Sequence, residues 1–542
     1  MASERLRPLA LITTLLLLGL PLLAGLGALL PALRDGAGWS ALLAAPGLTT
    51  SLLLTLGVSL GSTLFTLLLT FALLAHGWES PPLRRLERWL SPLLALPHVA
   101  FAVGLAFLVA PSGWLLRLPA QLLGWSLPPD WQTLRDPLGL GLTLALTLKE
   151  LPFLLLMALA ALRRHEVTRQ LHLGQSLGFS PAQVWWRLLL PALWPKIRLP
   201  LAAIAAYGCG VVDLPLLLGP DAPPVLAQRL WLWSREADLS LHRLAHQGAL
   251  LLLSAALLLL ALLRWLEYLA CQGLRHRQLD GHRRPARARR WPAALTGLLL
   301  AVNGAILLAL LLWSVTRRWR FPDLFPTHLS SLGWLEALPT ALPLLGTTLA
   351  LALVTTWLAA LWALLVLESE RRPWPLWLLC LPLLLPQASL LIGLDQALAY
   401  LDTTPGIGWV VWGQLLFVFP YVYLCLRGPW HSFDERLILC ARALGASPWR
   451  AWWRIKLPLL ARPLLAALAV GVAVSLAQYL PTLLLGGGRV MTLTTEAVAI
   501  GSGLNRRLAG LYALLQLLIP LAAFLLALWL PGRINPLERR PC

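Results

Sequence analysis

The chain has 542 residues, 58% of them hydrophobic and 13% charged, with a mean hydropathy of +0.72. That composition excludes both a water-soluble globular protein and a disordered one. Its 44 basic and 24 acidic residues leave a formal charge of +20, but the arginines fall between apolar runs. Anionic lipid headgroups and membrane topology account for that placement, and no nucleic-acid partner is expected.

A bilayer-spanning helix needs about 20 apolar residues. Apolar runs predict twelve such helices, at 9–31, 50–75, 90–110, 138–162, 196–219 and 247–270, then at 293–315, 340–367, 374–395, 404–426, 460–486 and 508–531. The fold expected is therefore an all-α polytopic membrane protein. The first run is longer than a signal-peptide core and reads as an uncleaved span. With the N-terminus inside, 31 of the Lys and Arg residues fall in inside segments and 12 outside, and Lys149 lies within a span. Both termini are then cytoplasmic. Arg317, Arg318 and Arg320 break the rule locally. Residues 271–292 are polar and basic and carry no apolar stripe. They read as a cytoplasmic linker between two six-span halves, 1–270 and 293–542.

The halves share a cassette. Leu177–Pro191 and Leu444–Pro458 match at nine of fifteen positions without a gap, at an offset of 267. Weaker echoes pair Leu96-Pro97 with Leu385-Pro386, Pro152 with Pro420, and Leu214-Pro215 with Leu480-Pro481. An even number of spans per half makes the repeats parallel, with their axis along the membrane normal. Within the cassette, Gly178 and Gly445 can take positive φ and end a helix. Ser180 and Ser447 suit N-caps, and Pro181 and Pro448 the first helical turn. A short helix should then carry Trp185, Trp186 and Arg187, or Trp452, Trp453 and Arg454, until Pro191 or Pro458 breaks it. Each loop, about 163–195 and 430–462, reads as a helical hairpin on the inner face. It either anchors the bundle in the interface or docks a partner, and its repetition once per half favours docking.

This cassette resembles the EAA loop of permease subunits of ATP-binding-cassette importers. The fused double form is similar to the thiamine and ferric-iron permeases and the Ynj-type permease. The resemblance implies a bacterial inner-membrane permease whose two loops seat in clefts of a separate ATPase homodimer. A periplasmic substrate-binding protein is a further implied partner. Gly178 and Gly445 fall at the family's glycine, and Pro191 and Pro458 at its terminal proline. The motif's acidic residue is replaced by His172 and Leu439. None of Lys149, Lys196 and Lys456 follows a glycine, so the chain has no P-loop of its own. ATP and Mg belong on the partner, and no cofactor and no catalytic residue is expected here.

Lys149, Glu150, Asp213 and Asp395 are ionisable residues within spans. A charge at the bilayer centre costs about 2.5–3.5 kcal/mol, which makes each a functional candidate. Glu150 precedes Pro152, and Asp213 precedes Pro215 and has the polar Gln478 and Tyr479 at its repeat position. Glu150, Asp213, Gln478 and Tyr479 are therefore candidates for a translocation path. The alternative is satisfaction by neighbouring helices. Asp395 is expected near a span end, in solvent. The ten histidines show no HExxH or paired spacing and the six cysteines no CxxC pair, so neither a metal site nor a disulfide framework is expected. A self-sufficient secondary transporter is the competing class. It would spend more ionisable positions on coupling ions and has no need of a repeated hairpin. Thiamine, ferric iron, molybdate and other small solutes all stay open as cargo. The charge bias makes one topological prediction. A reporter that works only in the periplasm, fused after Arg290, should be inactive, and activity there would overturn the arrangement.

Overall fold

A computed structural model describes residues 2–78, 80–162, 164–279, 282–283, 291–370, 374–503 and 505–530. Residues 280–281 and 284–290 of the expected linker and the arginines beyond residue 530 lie outside the described residues. Among the described residues, ten helices are long and apolar enough to cross a membrane, and one bent pair would make eleven. They are α1 (Leu6–Leu33), α2 (Leu48–Gly77), α3 (His98–Leu123, with a turn at 110–113), α4 (Leu140–Ala161), α5 (Pro181–Gly210), α6 (Leu239–Gly273), α7 (Trp291–Ser314), α8 (Leu332–Ser369), α9 (Ile407–His431) and α10 (Arg506–Trp529). The bent pair is Pro448–Leu459 and Ala461–Leu476, turned through 71°. The protein is an all-α polytopic membrane protein. The helix that begins at Leu239 runs on to Leu279, so the first part of the expected linker is helical.

Several of the twelve expected spans are not continuous helices. The run 374–395 divides into Leu376–Leu379, Leu381–Leu384 and Gln387–Tyr400. The run 460–486 divides into Ala461–Leu476 and Tyr479–Gly486. Residues 196–219 stop at Gly210 and restart at Asp213, and residues 90–110 are interrupted between Ala95 and His98. Two breaks fall at Leu-Pro, where proline lacks an amide donor and forces extended backbone on the residue before it. Leu96 and Leu385 are accordingly extended, at ψ 113° and 142°. Val211 is extended at ψ 140° and Gln478 lies at ψ 85°, just upstream of Pro215 and Pro481, which offer no amide to the carbonyls of Val211 and Ala477.

α1 and α7 each pack in part on helices from the far side of residues 271–292. α1 lies along Gln387–Tyr400 and α8, and the Trp362 indole donates to Thr14 Oγ1 at 3.1 Å. α7 lies along α3 and α2. Each crossing needs a glycine. A Cβ on Gly393 would sit 2.1 Å from the Gly25 carbonyl oxygen, and one on Gly104 would sit 2.6 Å from Ile306 Cγ2. These glycines stand seven residues after Pro386 and Pro97, at matching places. A buried bond also recurs: Leu226 N donates to Thr55 Oγ1, and Leu493 N donates to Thr348 Oγ1, both at 2.8 Å.

The arginine cluster that opposes the charge rule has a structural setting. The loop after α7 forms a small antiparallel ribbon, β1 (Thr316–Arg318) with β2 (His328–Leu329). Arg117, buried from α3, donates to the carbonyls of Arg320 and Asp323 at 2.8 and 2.7 Å and stacks on Trp319 at 4.6 Å.

Candidate functional site

The helix breaks converge. Leu96-Pro97, Val212-Asp213, Leu385 with Gln387, and Gln478-Tyr479 all line one cavity of about 180 Å³. Two breaks come from residues 1–270 and two from 293–542. Four helices therefore begin at its wall: at His98, Asp213, Gln387 and Tyr479. Phe153 of α4 and Tyr421 of α9 meet there edge to face at 6.0 Å. Each is the residue after its helix's internal proline, Pro152 or Pro420.

The polar groups are unevenly shared. Lys149 and Glu150 are buried halfway along α4 and form no ion pair with each other. The Lys149 ammonium instead donates to the Leu96 carbonyl, which the break leaves without a helical donor. Glu150 Oε1 lies 3.6 Å from His98 Nε2. His98 packs on the Tyr207 ring at 5.2 Å. Asp213 is only 5% exposed and makes no ion pair with any described residue. On the other side, Gln387 Nε2 donates to Gln478 Oε1 at 2.7 Å. Glu150, Asp213, Gln478 and Tyr479 thus share one cavity wall, with Lys149 beside them. Asp395 lies elsewhere, half-buried in Gln387–Tyr400.

The two cassettes fold alike. Gly178 and Gly445 have φ of +84° and +86°, a region that a side chain strains. Phe179 N bonds back to Gly174 O at 2.9 Å, and Ala446 N to Ala441 O at 3.0 Å, which closes each preceding helix in the same way. Ser180 and Ser447 accept from Gln183 N and Arg450 N, and each cap is followed by its proline. Only the first forms a capping box, because Gln183 returns a bond to Ser180 N.

After the cap, the structure departs from the expected short helix. Trp185–Leu189 and Trp452–Lys456 are π turns. Pro191 follows a widened turn and sits inside α5, a continuous helix to Gly210, so it does not break the chain. Pro458 is also accommodated, and the bend comes two residues later at Leu460. The tryptophans have split roles. Trp185 is 2% exposed and packs on Trp78 at 5.4 Å, and Trp452 is half-buried. Trp186 and Trp453 face outward, as do Leu177 and Leu444. Arg187 lies over the Phe179 ring at 5.2 Å, and Arg454 is exposed. His282 accepts through its carbonyl from Gln183 and Arg187, so the first hairpin is partly covered while Gly445 faces open space.

Sequence reasoning missed a charged node under the second hairpin. Buried Lys456 bridges Glu368 at 3.0 Å and Glu435 at 2.9 Å, and lies 4.5 Å over the Trp430 ring. It fixes the π turn to the end of α8. It also missed His98 and Gln387, although the Leu-Pro echoes stand immediately before both.

Comparison with known proteins follows the same lines. Residues 373–536 match the family described as the inner membrane component of binding-protein-dependent transport systems. The chain is 36% identical over 492 residues to the inner membrane ABC transporter permease protein YnjC of Escherichia coli K12, covering 90% of this chain and 89% of that one. It is 29% identical over 137 residues to the molybdenum transport system permease protein ModB of Haemophilus influenzae, covering 24% of this chain and 59% of that one.

Proposed function

The chain belongs to the inner-membrane permeases of binding-protein-dependent ABC transporters, and on that premise we propose that it forms the translocation path of an importer and couples that path to a separate ATPase. The convergence of four helix breaks, two from each half, on one cavity carries this reading. Residues 1–270 and 293–542 act as two parallel repeats joined by 271–292. Glu150, Asp213, Gln478 and Tyr479 line the path. ATP and Mg are bound by a homodimeric ATPase, and a periplasmic binding protein delivers the cargo. The termini and linker lie in the cytoplasm, where the two hairpins also lie. A homodimeric ATPase presents two equivalent clefts, and Leu177–Pro191 and Leu444–Pro458 supply two similar plugs.

If Glu150 and Asp213 line the path, Glu150→Gln and Asp213→Asn should each lower cargo-stimulated ATP hydrolysis by the assembled importer by about tenfold, as expected for loss of a charge-assisted contact. Parent-like stimulation in both, at equal membrane abundance, would make these residues structural.

The hairpins are tested at their glycines. Gly178→Val and Gly445→Val put a β-branched residue at positive φ, which costs roughly 1–3 kcal/mol of local strain and tilts the plug. Each should leave the helices inserted but weaken ATPase copurification, and the double variant should lose more than either single one. Normal copurification and normal transport in the double variant would return the hairpins to interfacial anchors.

A further inference from the structure

The cavity is chemically lopsided, and the two halves provide an internal comparison. Both build the same helix breaks. The second half does so with neutral residues, Gln387, Gln478 and Tyr479. The fold therefore does not need Glu150 or Asp213 to make a break. Glu150 and Asp213 nonetheless both sit at the cavity wall as buried residues. A buried carboxylate is unfavourable unless something positive meets it.

The protein supplies too little positive charge for both. Among the described residues no arginine lines the cavity, and the one lysine there, Lys149, is turned to the Leu96 carbonyl. Glu150 has His98 within 3.6 Å, whereas Asp213 has no ion-pair partner among the described residues. Near these acids stand the rings of Tyr207, Phe153 and Tyr421, whose faces attract cations. Asp213 opens the helix Asp213–Leu218, so that helix start gives it partial positive charge, about half a unit and well short of a full counter-ion. No group of three or more His, Cys, Asp or Glu among the described residues is placed to hold a metal ion, so a bare metal ion is poorly served.

We propose that the cargo is an organic cation, a positively charged nitrogen on an apolar or aromatic body, whose charge meets Asp213 and Glu150 and whose body packs on Phe153, Tyr207 and Tyr421. This rests on reading the cavity as the path. It also separates the cargo from oxyanions, which would face the two carboxylates without an arginine.

The test uses the full chain in lipid nanodiscs, with empty nanodiscs as the blank. Radiolabelled benzyltrimethylammonium and phenylmethanesulfonate are compared by equilibrium dialysis. The cation should bind saturably and the anion should not. Asp213→Asn should weaken cation binding at least about tenfold, while Asp213→Glu keeps most of it. Glu150→Gln gives a second reading if the Asp213 variants do not insert. Saturable binding of the sulfonate, equal cation binding in the neutral variants, or no saturable cation binding would overturn the proposal. ATPase copurification reads docking independently of cargo. Anion-selective binding with intact docking would therefore sink the charge assignment alone.

Discussion

Backbone groups within a membrane must find partners inside the protein. Each one left unpaired in hydrocarbon costs several kcal/mol. This chain interrupts its apolar helices at 96–97, 211–212, 385–386 and 477–478. Such breaks are tolerable only where protein or a polar cavity encloses them. That constraint explains why all four meet between the halves, and why Lys149 spends its ammonium on the Leu96 carbonyl. It also explains the packing around them. The exchanged helices α1 and α7 close over the broken helices, at distances that only Gly104 and Gly393 permit.

The hairpins solve a different problem. Each must leave a membrane helix, cross the face and re-enter. A glycine at positive φ, a serine cap and a proline at the first turn set that path in both halves. The π turn then carries the chain past Pro191 into a continuous helix, and past Pro458 to a 71° bend at Leu460. It also points one tryptophan inward and the next outward, so that one anchors the hairpin and one stays on its surface. The halves differ in what holds the turn. The second uses Lys456 between Glu368 and Glu435, and the first has Leu189 at that place, buried among apolar neighbours.

Much of this was legible in the sequence, because local rules govern it. The glycine, serine and proline positions of the hairpins follow from backbone sterics, and both turned out as read. The Leu-Pro echoes marked two of the breaks, though not their consequence for spans 90–110 and 374–395. The remaining Leu-Pro echo, Leu214-Pro215 with Leu480-Pro481, marked the breaks at Val211-Val212 and Gln478 from three to four residues downstream, because each proline offers no amide to the carbonyl four residues back. The π turns were hidden because proline ordinarily ends a helix, and nothing local announces the extra residue that absorbs it. The Lys456 node was hidden because its partners lie 88 and 21 residues away. Glu150 and Asp213 were visible as charges in apolar runs, and their shared cavity was not.

On the proposed reading the cavity is the translocation path, and a path lined by residues 1–270 and 293–542 must open and close during turnover. Phe153 and Tyr421, in ring contact at 6.0 Å, mark the seam. Both can be replaced by cysteine in a background that otherwise lacks cysteine, and bridged with a short, reducible thiol cross-linker. ATP hydrolysis by the assembled importer in vesicles is then measured before bridging, after it, and after reduction. The account predicts that bridging stops cargo-stimulated hydrolysis and that reduction restores it. Undiminished stimulation in the bridged protein would contradict it.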